Sequence, residues 1–152
     1  MTAPPRIAPP PIALARIALA RPAELRQCRV RLARVPAAAA EARGHLRAVI
    51  RAWNIPVDPD VAILLTSDLV TNAIVGGSGG AVTLGIRCSS GRLRVDIYDG
   101  SRSLPAADES ATPGMGPGLA LVAALSTAWG CFHTPAGRAV YFTLAFQPGL
   151  PE

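Results

Sequence analysis

The segment Ser67–Ala73 places two polar side chains in the middle of a helix that its flanking residues predict to be buried. At about 100° per residue, the surrounding apolar residues fall on two sides of that helix. These are Val61, Leu64, Leu65 and Leu69 on one side, and Ile63, Val70 and Ile74 on the other. A helix that is apolar on both sides is typical of a protein interior. Asp68 and Asn72 lie within the first side, so each needs a hydrogen-bond partner there.

Two kinds of partner can satisfy Asp68 and Asn72. They are four residues apart, a spacing at which an aspartate and an asparagine hydrogen-bond to each other on one helix face. The other kind of partner is a bound ligand that reaches both side chains. The residues themselves leave both alternatives open.

The composition indicates one folded domain and excludes several classes of protein. The chain has 152 residues, half of them hydrophobic, which is enough to bury a core. The chain contains arginines but no lysine, so it has no P-loop lysine. Most of the arginines lie in residues 1–51, but no aromatic residue or recognition motif accompanies them, and nucleic-acid binding is not favoured. We predict a disordered arm at 1–22, a domain at 23–148 and a tail at 149–152.

The cysteines and the apolar runs predict a cytoplasmic protein with no membrane span. Cys28, Cys88 and Cys131 are far apart and form no Cys-x-x-Cys pair, which favours a reducing compartment and places them as small core residues. The only apolar run near the N-terminus, Ile12–Ala20, is interrupted by Arg16. It is far shorter than the roughly 20 residues that a transmembrane helix needs.

The predicted elements define an α+β fold, with helices over a largely antiparallel sheet. Period-two alternation predicts strands, and apolar spacing near 3.6 predicts helices. The order is a strand at 28–35, helices at 37–53 and from the Asp58 or Asp60 cap to 75, a hairpin at 82–98, a loop at 101–113, a glycine-rich segment at 114–118, a helix at 119–125 and a closing hairpin at 129–146.

Three parts of this fold carry groups that suit different parts of a nucleotide. Asp99, at the end of a strand, can accept the amine of adenine. The glycines of 114–118 precede a helix, where backbone N–H groups bind phosphate. The Asn72 oxygen suits Mg2+, and Asp68 can orient or deprotonate an attacking hydroxyl. Taken singly, Asp99 also fits a turn and the glycines a plain loop. Their Gly-x-Gly-x-Gly spacing does not fit a dinucleotide fold.

These motifs resemble those of the GHKL ATPase superfamily, and within it the actinobacterial anti-sigma factor serine kinases. The segment Asp68–Ala73 looks like the N box of that family, which usually begins with glutamate. Asp99–Ser101 with Leu104–Pro105 looks like its adenine box. Gly114, Gly116 and Gly118, followed by Leu119, look like the glycine box of its lid. The resemblance extends from about Val30 to Phe146.

The resemblance implies a two-layer α/β sandwich of the Bergerat type, with helices over a mostly antiparallel mixed sheet. It implies binding of ATP and Mg2+, with Asp68 as the catalytic base, Asn72 at the metal and Asp99 at the adenine. Gly114, Gly116, Gly118 and Leu119 would belong to the cofactor site under a mobile lid. Members of the family phosphorylate a serine of an antagonist protein and bind a sigma factor, commonly as homodimers.

Four positions depart from the family pattern. Asp68 is one methylene shorter than the usual glutamate, and a displacement of about 1 Å can lower a rate roughly a hundredfold. Val75–Gly76 replaces a basic residue and a histidine, Pro117 replaces an arginine and removes an N–H donor, and Ser101 stands where the wider superfamily has glycine.

The sequence therefore favours an ATP-binding regulatory protein with weakened serine kinase activity. The alternative is a non-catalytic, degenerate module that regulates by protein–protein binding. An ATP hydrolase is less favoured, because it needs a well-placed base and Asp68 is short.

Overall fold

A computed structural model describes residues 25–101 and 117–147 of the chain. Within them the chain forms five strands and three helices. In chain order these are β1 (Arg26–Ala33), α1 (Ala37–Trp53), α2 (Pro59–Gly76), β2 (Ala81–Ser89), β3 (Arg92–Asp99), α3 (Pro117–Leu125), β4 (Ala128–Thr134) and β5 (Gly137–Ala145). The predicted helices and strands are confirmed, with ends that differ by a few residues. The arm at 1–22, most of the loop at 101–113, Gly114, Gly116 and the tail at 149–152 lie outside the described residues.

The five strands form one sheet in the order β1-β2-β3-β5-β4. Every neighbouring pair in it is antiparallel, so the predicted α+β class with helices over a largely antiparallel sheet is confirmed. The resemblance implied a mixed sheet, which would include a parallel pair of strands. This expectation is wrong for the described strands. For β1 and β2, the antiparallel pairing follows from the two helices that connect them. Because α1 leads away from the end of β1 and α2 returns, β2 begins beside Ala33 and runs antiparallel to β1.

Local signals in the sequence set the ends of α1 and α2. The Asp58 carboxylate accepts the backbone N–H of Asp60 at 2.9 Å and caps the first turn of α2. Pro59 follows at the first helical position, where a missing N–H costs nothing. Asn54 ends α1 in the left-handed conformation, with a φ of 56°. A left-handed residue after the last turn is a common way to end a helix.

The hydrophobic core lies between the helices and one face of the sheet. Strand residues alternate, so that Leu93, Val95 and Ile97 are buried against the helices while the residues between them point to the opposite face. Phe142 of β5 and Leu46 of α1 are among the largest fully buried side chains. Cys28, Cys88 and Cys131 are only partly buried, and they pack at the margin of the core rather than inside it.

Helix α2 occupies the centre of the helical layer. It packs against α1, α3 and the sheet, and buries seven of its residues, among them Leu65, Leu69 and Val70. By length and composition alone it would pass for a membrane span, with a mean hydropathy of 1.2. Core helices of folded domains pass the same test, and the packing of α2 against its neighbours explains its apolar composition.

Gly137 permits a close approach between the start of β5 and the end of β3. Its φ is +157°, and a Cβ there would collide with the Asp99 carbonyl oxygen and lie 2.7 Å from the Gly100 Cα. We expect Gly137→Ala to lower the free energy of unfolding by about 1 to 3 kcal/mol, because the backbones would have to separate. Urea denaturation of the purified variant measures this loss.

Gly76→Ala is the matched control, since a Cβ there would meet nothing within 4 Å. Alanine favours a helix over glycine by up to about 1 kcal/mol, so this variant should be as stable as the wild type or more so. Equal losses in the two variants would contradict the close approach at Gly137.

Candidate functional site

Asp99, the last residue of β3, forms a buried ion pair. Its Oδ2 accepts the Nε–H of Arg138 at 3.1 Å, and its Oδ1 accepts the backbone N–H of Ser101 at 2.7 Å. The side chains of Asp99 and Arg138 are 1% and 10% exposed. Register explains the pair, because Arg138 of β5 lies directly opposite Asp99. Both oxygens of the predicted adenine acceptor are therefore engaged within the protein.

The C-terminal end of α2 lies against the Asp99 carboxylate. A Cβ on Gly77 would be 3.1 Å from both Cγ and Oδ2 of Asp99. The Arg34 guanidinium donates to the carbonyl oxygens of Ala73 and Gly77 at the C-terminal end of α2. The Ala73 oxygen also accepts the Gly77 N–H, whereas the Gly77 oxygen has no partner within the helix. A cation there also compensates the negative end of the helix dipole. Arg34 of the loop after β1 thus fixes the end of α2 over Asp99.

Asp68 and Asn72 are half-buried and lack hydrogen-bond partners at one atom each. Among the described residues, Asp68 Oδ2 and Asn72 Nδ2 have no partner, although both atoms are shielded from solvent. The amide nitrogen is the only side-chain donor of Asn72, and an ionised aspartate only accepts. With the Asn72 amide in this orientation, the two side chains do not hydrogen-bond to each other. Buried polar atoms without partners are costly, which points to a ligand.

The side of α2 that carries Asp68 and Asn72 is partly open, although the sequence predicted it to be buried. Leu64, one turn before Asp68, is 41% exposed, and Thr71 and Val75 on the same side are exposed. A helix that packs on a sheet and between two other helices still has one side left for solvent. Asp68 and Asn72 lie at the edge of that side, where a ligand can reach them.

Asp68 and Asn72 lie on α2, and the C-terminal end of that helix contacts Asp99 at the end of β3. At a rise of about 1.5 Å per residue, Asn72 lies roughly 7 to 8 Å along the axis from Gly77, the residue that contacts Asp99. Asp68 lies one further turn away. Along the axis of α2, Asp68 and Asn72 therefore lie within about three turns of the contact between Gly77 and Asp99.

Helix α3 packs against α2 and brings the described part of the glycine segment near it. Leu119 is 3% exposed, and its side chain packs in the core. The backbone N–H groups of Gly118 and Leu119 lie in the first turn, where N–H groups have no partner within the helix. Pro117 is the first residue of α3, a position that proline favours. Gly114 and Gly116 lie outside the described residues.

Within residues 25–101 and 117–147, no group of three histidine, cysteine or acidic side chains could hold a metal ion. Mg2+ does not need such a group, because one or two protein oxygens commonly hold it together with waters and the phosphates of a substrate. The carboxamide of Asn72 can turn its oxygen to the position of the unpartnered nitrogen. Asn72 therefore fits a magnesium ion that a phosphate ligand would share.

Comparison with models of known protein families gives no match, and a search among curated proteins gives none either.

Arg138 is the site residue that sequence reasoning missed. It lies in a strand that is otherwise mostly apolar, which indicates a buried position. A buried arginine needs an acidic partner, so the sequence signals that such a partner exists. Finding that partner requires the pairing of β3 with β5, which the periodicity of each strand does not give.

The ion pair predicts a strong coupling between Asp99 and Arg138. Arg138→Met should lower the free energy of unfolding by about 3 to 5 kcal/mol, because it leaves a carboxylate buried without its cation. Adding Asp99→Asn should restore part of this loss, and a double-mutant cycle from urea denaturation gives the coupling free energy.

Arg87→Met is the control for Arg138→Met, since Arg87 is 48% exposed and its nitrogen is 4.0 Å from the nearest Asp96 oxygen. Because Asp96 keeps its closer partner Arg94 at 2.8 Å, loss of the half-exposed Arg87 should lower the free energy of unfolding by about 1 kcal/mol or less. If the double variant loses as much free energy of unfolding as Arg138→Met and Asp99→Asn lose together, then Asp99 and Arg138 are not coupled.

The raised pKa of the Asp68 carboxyl makes the stability of the protein depend on pH. Burial raises the pKa of the Asp68 carboxyl above its ordinary value of 3.8, because the charged form loses water. The folded state then holds this proton more tightly than the unfolded state. The contribution of Asp68 to stability therefore falls as pH rises from that ordinary value through the raised pKa.

Asp68→Asn lacks this decline, so its stability relative to the wild type should increase across the same pH range. Chemical denaturation of both proteins from about pH 3 to pH 7 measures the difference. Glu41→Gln, which removes an exposed carboxylate from α1, controls for the loss of one negative charge. A relative stability of Asp68→Asn that decreases with pH would mean that the carboxylate is stabilised by a partner.

Proposed function

We propose that this chain is an ATP-binding regulatory protein similar to the anti-sigma factor serine kinases. The observation that carries the proposal is the pair of unpartnered polar atoms on Asp68 and Asn72, on the helix whose C-terminal end contacts the buried carboxylate of Asp99. A hydrogen-bonded pair within the protein would have removed the need for a ligand. The Bergerat-type arrangement, the cytoplasmic location and a homodimer belong to the same proposal.

Under this proposal, Asp99, Asn72 and the first turn of α3 each have a role in nucleotide binding. The carboxylate of Asp99 accepts up to about four hydrogen bonds in total, so it can accept an adenine amine in addition to Arg138 and Ser101. Asn72 holds Mg2+ through its amide oxygen. The first turn of α3 lies against α2 and directs backbone N–H groups and the positive end of its dipole towards a phosphate.

The chemistry proposed for the site is transfer of the terminal phosphoryl group to a serine of an antagonist protein. Bound Mg2+ would neutralise charge on the phosphates during the transfer. Asp68 would accept the proton of the serine hydroxyl, and a raised pKa makes its carboxylate a stronger base. Its short side chain limits its reach, which is consistent with a low rate of transfer.

The second candidate is a module that keeps the fold and regulates by binding proteins without catalysis. The ion pair between Asp99 and Arg138 favours this candidate. An adenine amine must compete with a guanidinium for the carboxylate, and a buried charged pair is costly to separate. The exposed Val75 and the bare Gly76 offer no cation to a phosphate at the end of α2.

Calorimetric titration with ATP, with and without Mg2+, tests the nucleotide site. We expect binding that Mg2+ strengthens in the wild type. Asn72→Ala should lose the strengthening by Mg2+, because it removes the proposed metal ligand, and its affinity should fall by about tenfold or more. Asp99→Asn should lose discrimination between ATP and GTP, since it replaces an acceptor with a group that also donates. Glu41→Gln should bind as the wild type does.

Circular dichroism and thermal denaturation must show that each variant is folded before its affinity is compared. A folded wild-type protein that binds no ATP at millimolar concentration would overturn the first candidate and leave the second. Affinity for ATP that is unchanged in Asn72→Ala would remove that residue from the site.

A further inference from the structure

The outer face of the sheet, opposite the helices, is strongly basic on strands β1 to β3. Register and alternation place five arginines and one acidic residue there. The arginines are Arg29, Arg31, Arg87, Arg92 and Arg94, and the acid is Asp96. The three described helices all pack on the other face, so this surface is distinct from the proposed nucleotide site.

Asp96 is already neutralised by one of these arginines. It is 2% exposed, and the guanidinium of Arg94 binds it in a bidentate manner, with Nε 3.1 Å from both oxygens and a second nitrogen 2.8 Å from Oδ1. Planar bidentate pairs of this type are the strong ones. The positive charge that remains on this face therefore comes from the other arginines.

Arg87 and Arg29 carry positive charge that the described residues do not fully compensate. Arg87 lies opposite Arg94 in the ladder, a pairing of like charges, and only one of its nitrogens comes within 4.0 Å of Asp96. Arg29 donates to the Tyr98 hydroxyl at 3.2 Å, and its guanidinium carbon lies 4.7 Å from the centre of the Tyr98 ring. Neutral Tyr98 holds Arg29 in place without cancelling its charge.

A depression of about 460 Å³ lies between Arg29 and Arg87. It exists because Gly85, between them on β2, has no side chain. Gln27, Cys28, Tyr98 and Asp96 complete its wall, and the Asp96 carboxylate is held there by Arg94. Two guanidinium groups thus flank an open pocket large enough for an acidic side chain.

We propose that this depression and its flanking arginines bind an acidic, extended segment of a partner protein, with one carboxylate between Arg29 and Arg87. Guanidinium groups match carboxylates in geometry as well as charge. The basic face around the depression attracts further acidic residues of the segment and raises the rate of association. The nucleotide site has no part in this interaction.

The same contacts disfavour the two other occupants of a basic face. Nucleic-acid strands bind to such faces by stacking bases on aromatic rings, but Arg29 covers the Tyr98 ring and Arg94 lies 4.0 Å over the Tyr141 ring. A second copy of the chain would bring two copies of the same basic face together, since a twofold contact joins identical surfaces. Like charges at such a contact are unfavourable.

Fluorescence anisotropy with a labelled glutamate-rich peptide tests the proposal on the full chain. The wild type should bind the peptide at low ionic strength and release it as salt screens the charges. Arg29→Gln with Arg87→Gln should weaken binding by about tenfold or more. Arg47→Gln with Arg51→Gln removes the same charge from the exposed side of α1 and should weaken it by less than about twofold.

Gly85→Val tests the depression without changing the charge. A Cβ on Gly85 would lie 3.5 Å from the Tyr98 ring, an ordinary contact, and valine suits a strand. This variant should weaken peptide binding, and thermal denaturation shows whether it is folded. Unchanged affinity in the folded variant would overturn the placement of a carboxylate in the depression.

Three further results would overturn the proposal. The first is equal weakening by the two double variants, which would show binding to net charge alone. The second is tighter binding of a single-stranded oligonucleotide of the same charge, lost in Arg29→Gln with Arg87→Gln. The third is a wild-type dimer in sedimentation that this double variant dissociates, which would make the face a contact between copies.

Discussion

The buried ion pair between Asp99 and Arg138 determines how the helical layer meets the sheet. It joins β3 to β5 on the helix side, and the end of α2 lies directly over it at Gly77. Two charges removed from water require each other and further hydrogen bonds, which Ser101 supplies in part. The glycines at 77 and 137 let three backbones approach the pair. This ion pair and the hydrogen bonds of Arg34 together position the end of α2, and with it Asp68 and Asn72.

Helix α2 has to satisfy two requirements that conflict. Its apolar residues fill the core between α1, α3 and the sheet, and this packing stabilises the domain. Asp68 and Asn72 carry polar atoms into the same environment without partners among the described residues. A sequence selected for stability alone would place apolar residues at both positions. Local conflicts of this kind in an otherwise consistent fold are typical of functional sites, where stability is given up for binding.

Much of the fold follows from the sequence, because its signals are local. The Asp58 cap, Pro59 and the period of Pro59–Gly76 were sufficient to predict α2, and alternation predicted β2 and β3. The outward alternation of Arg94 and Asp96 also follows from period two. The pairing of β3 with β5 joins segments far apart in the chain, and no periodicity encodes it. Arg138 was missed for that reason, and so was the open side of α2, which depends on where α1 and α3 pack.

The proposal for a nucleotide site depends on whether a ligand satisfies the polar atoms of Asp68 and Asn72, and heteronuclear NMR observes this directly. The side-chain amide resonances of Asn72 and the backbone amide of Ser101 would be followed while Mg2+ and ATP are added to labelled protein. Binding at the proposed site predicts that both move together, saturate at the same concentration and move less when Mg2+ is omitted. Resonances of Asn72 and Ser101 that stay fixed while other residues respond to ATP would contradict the site.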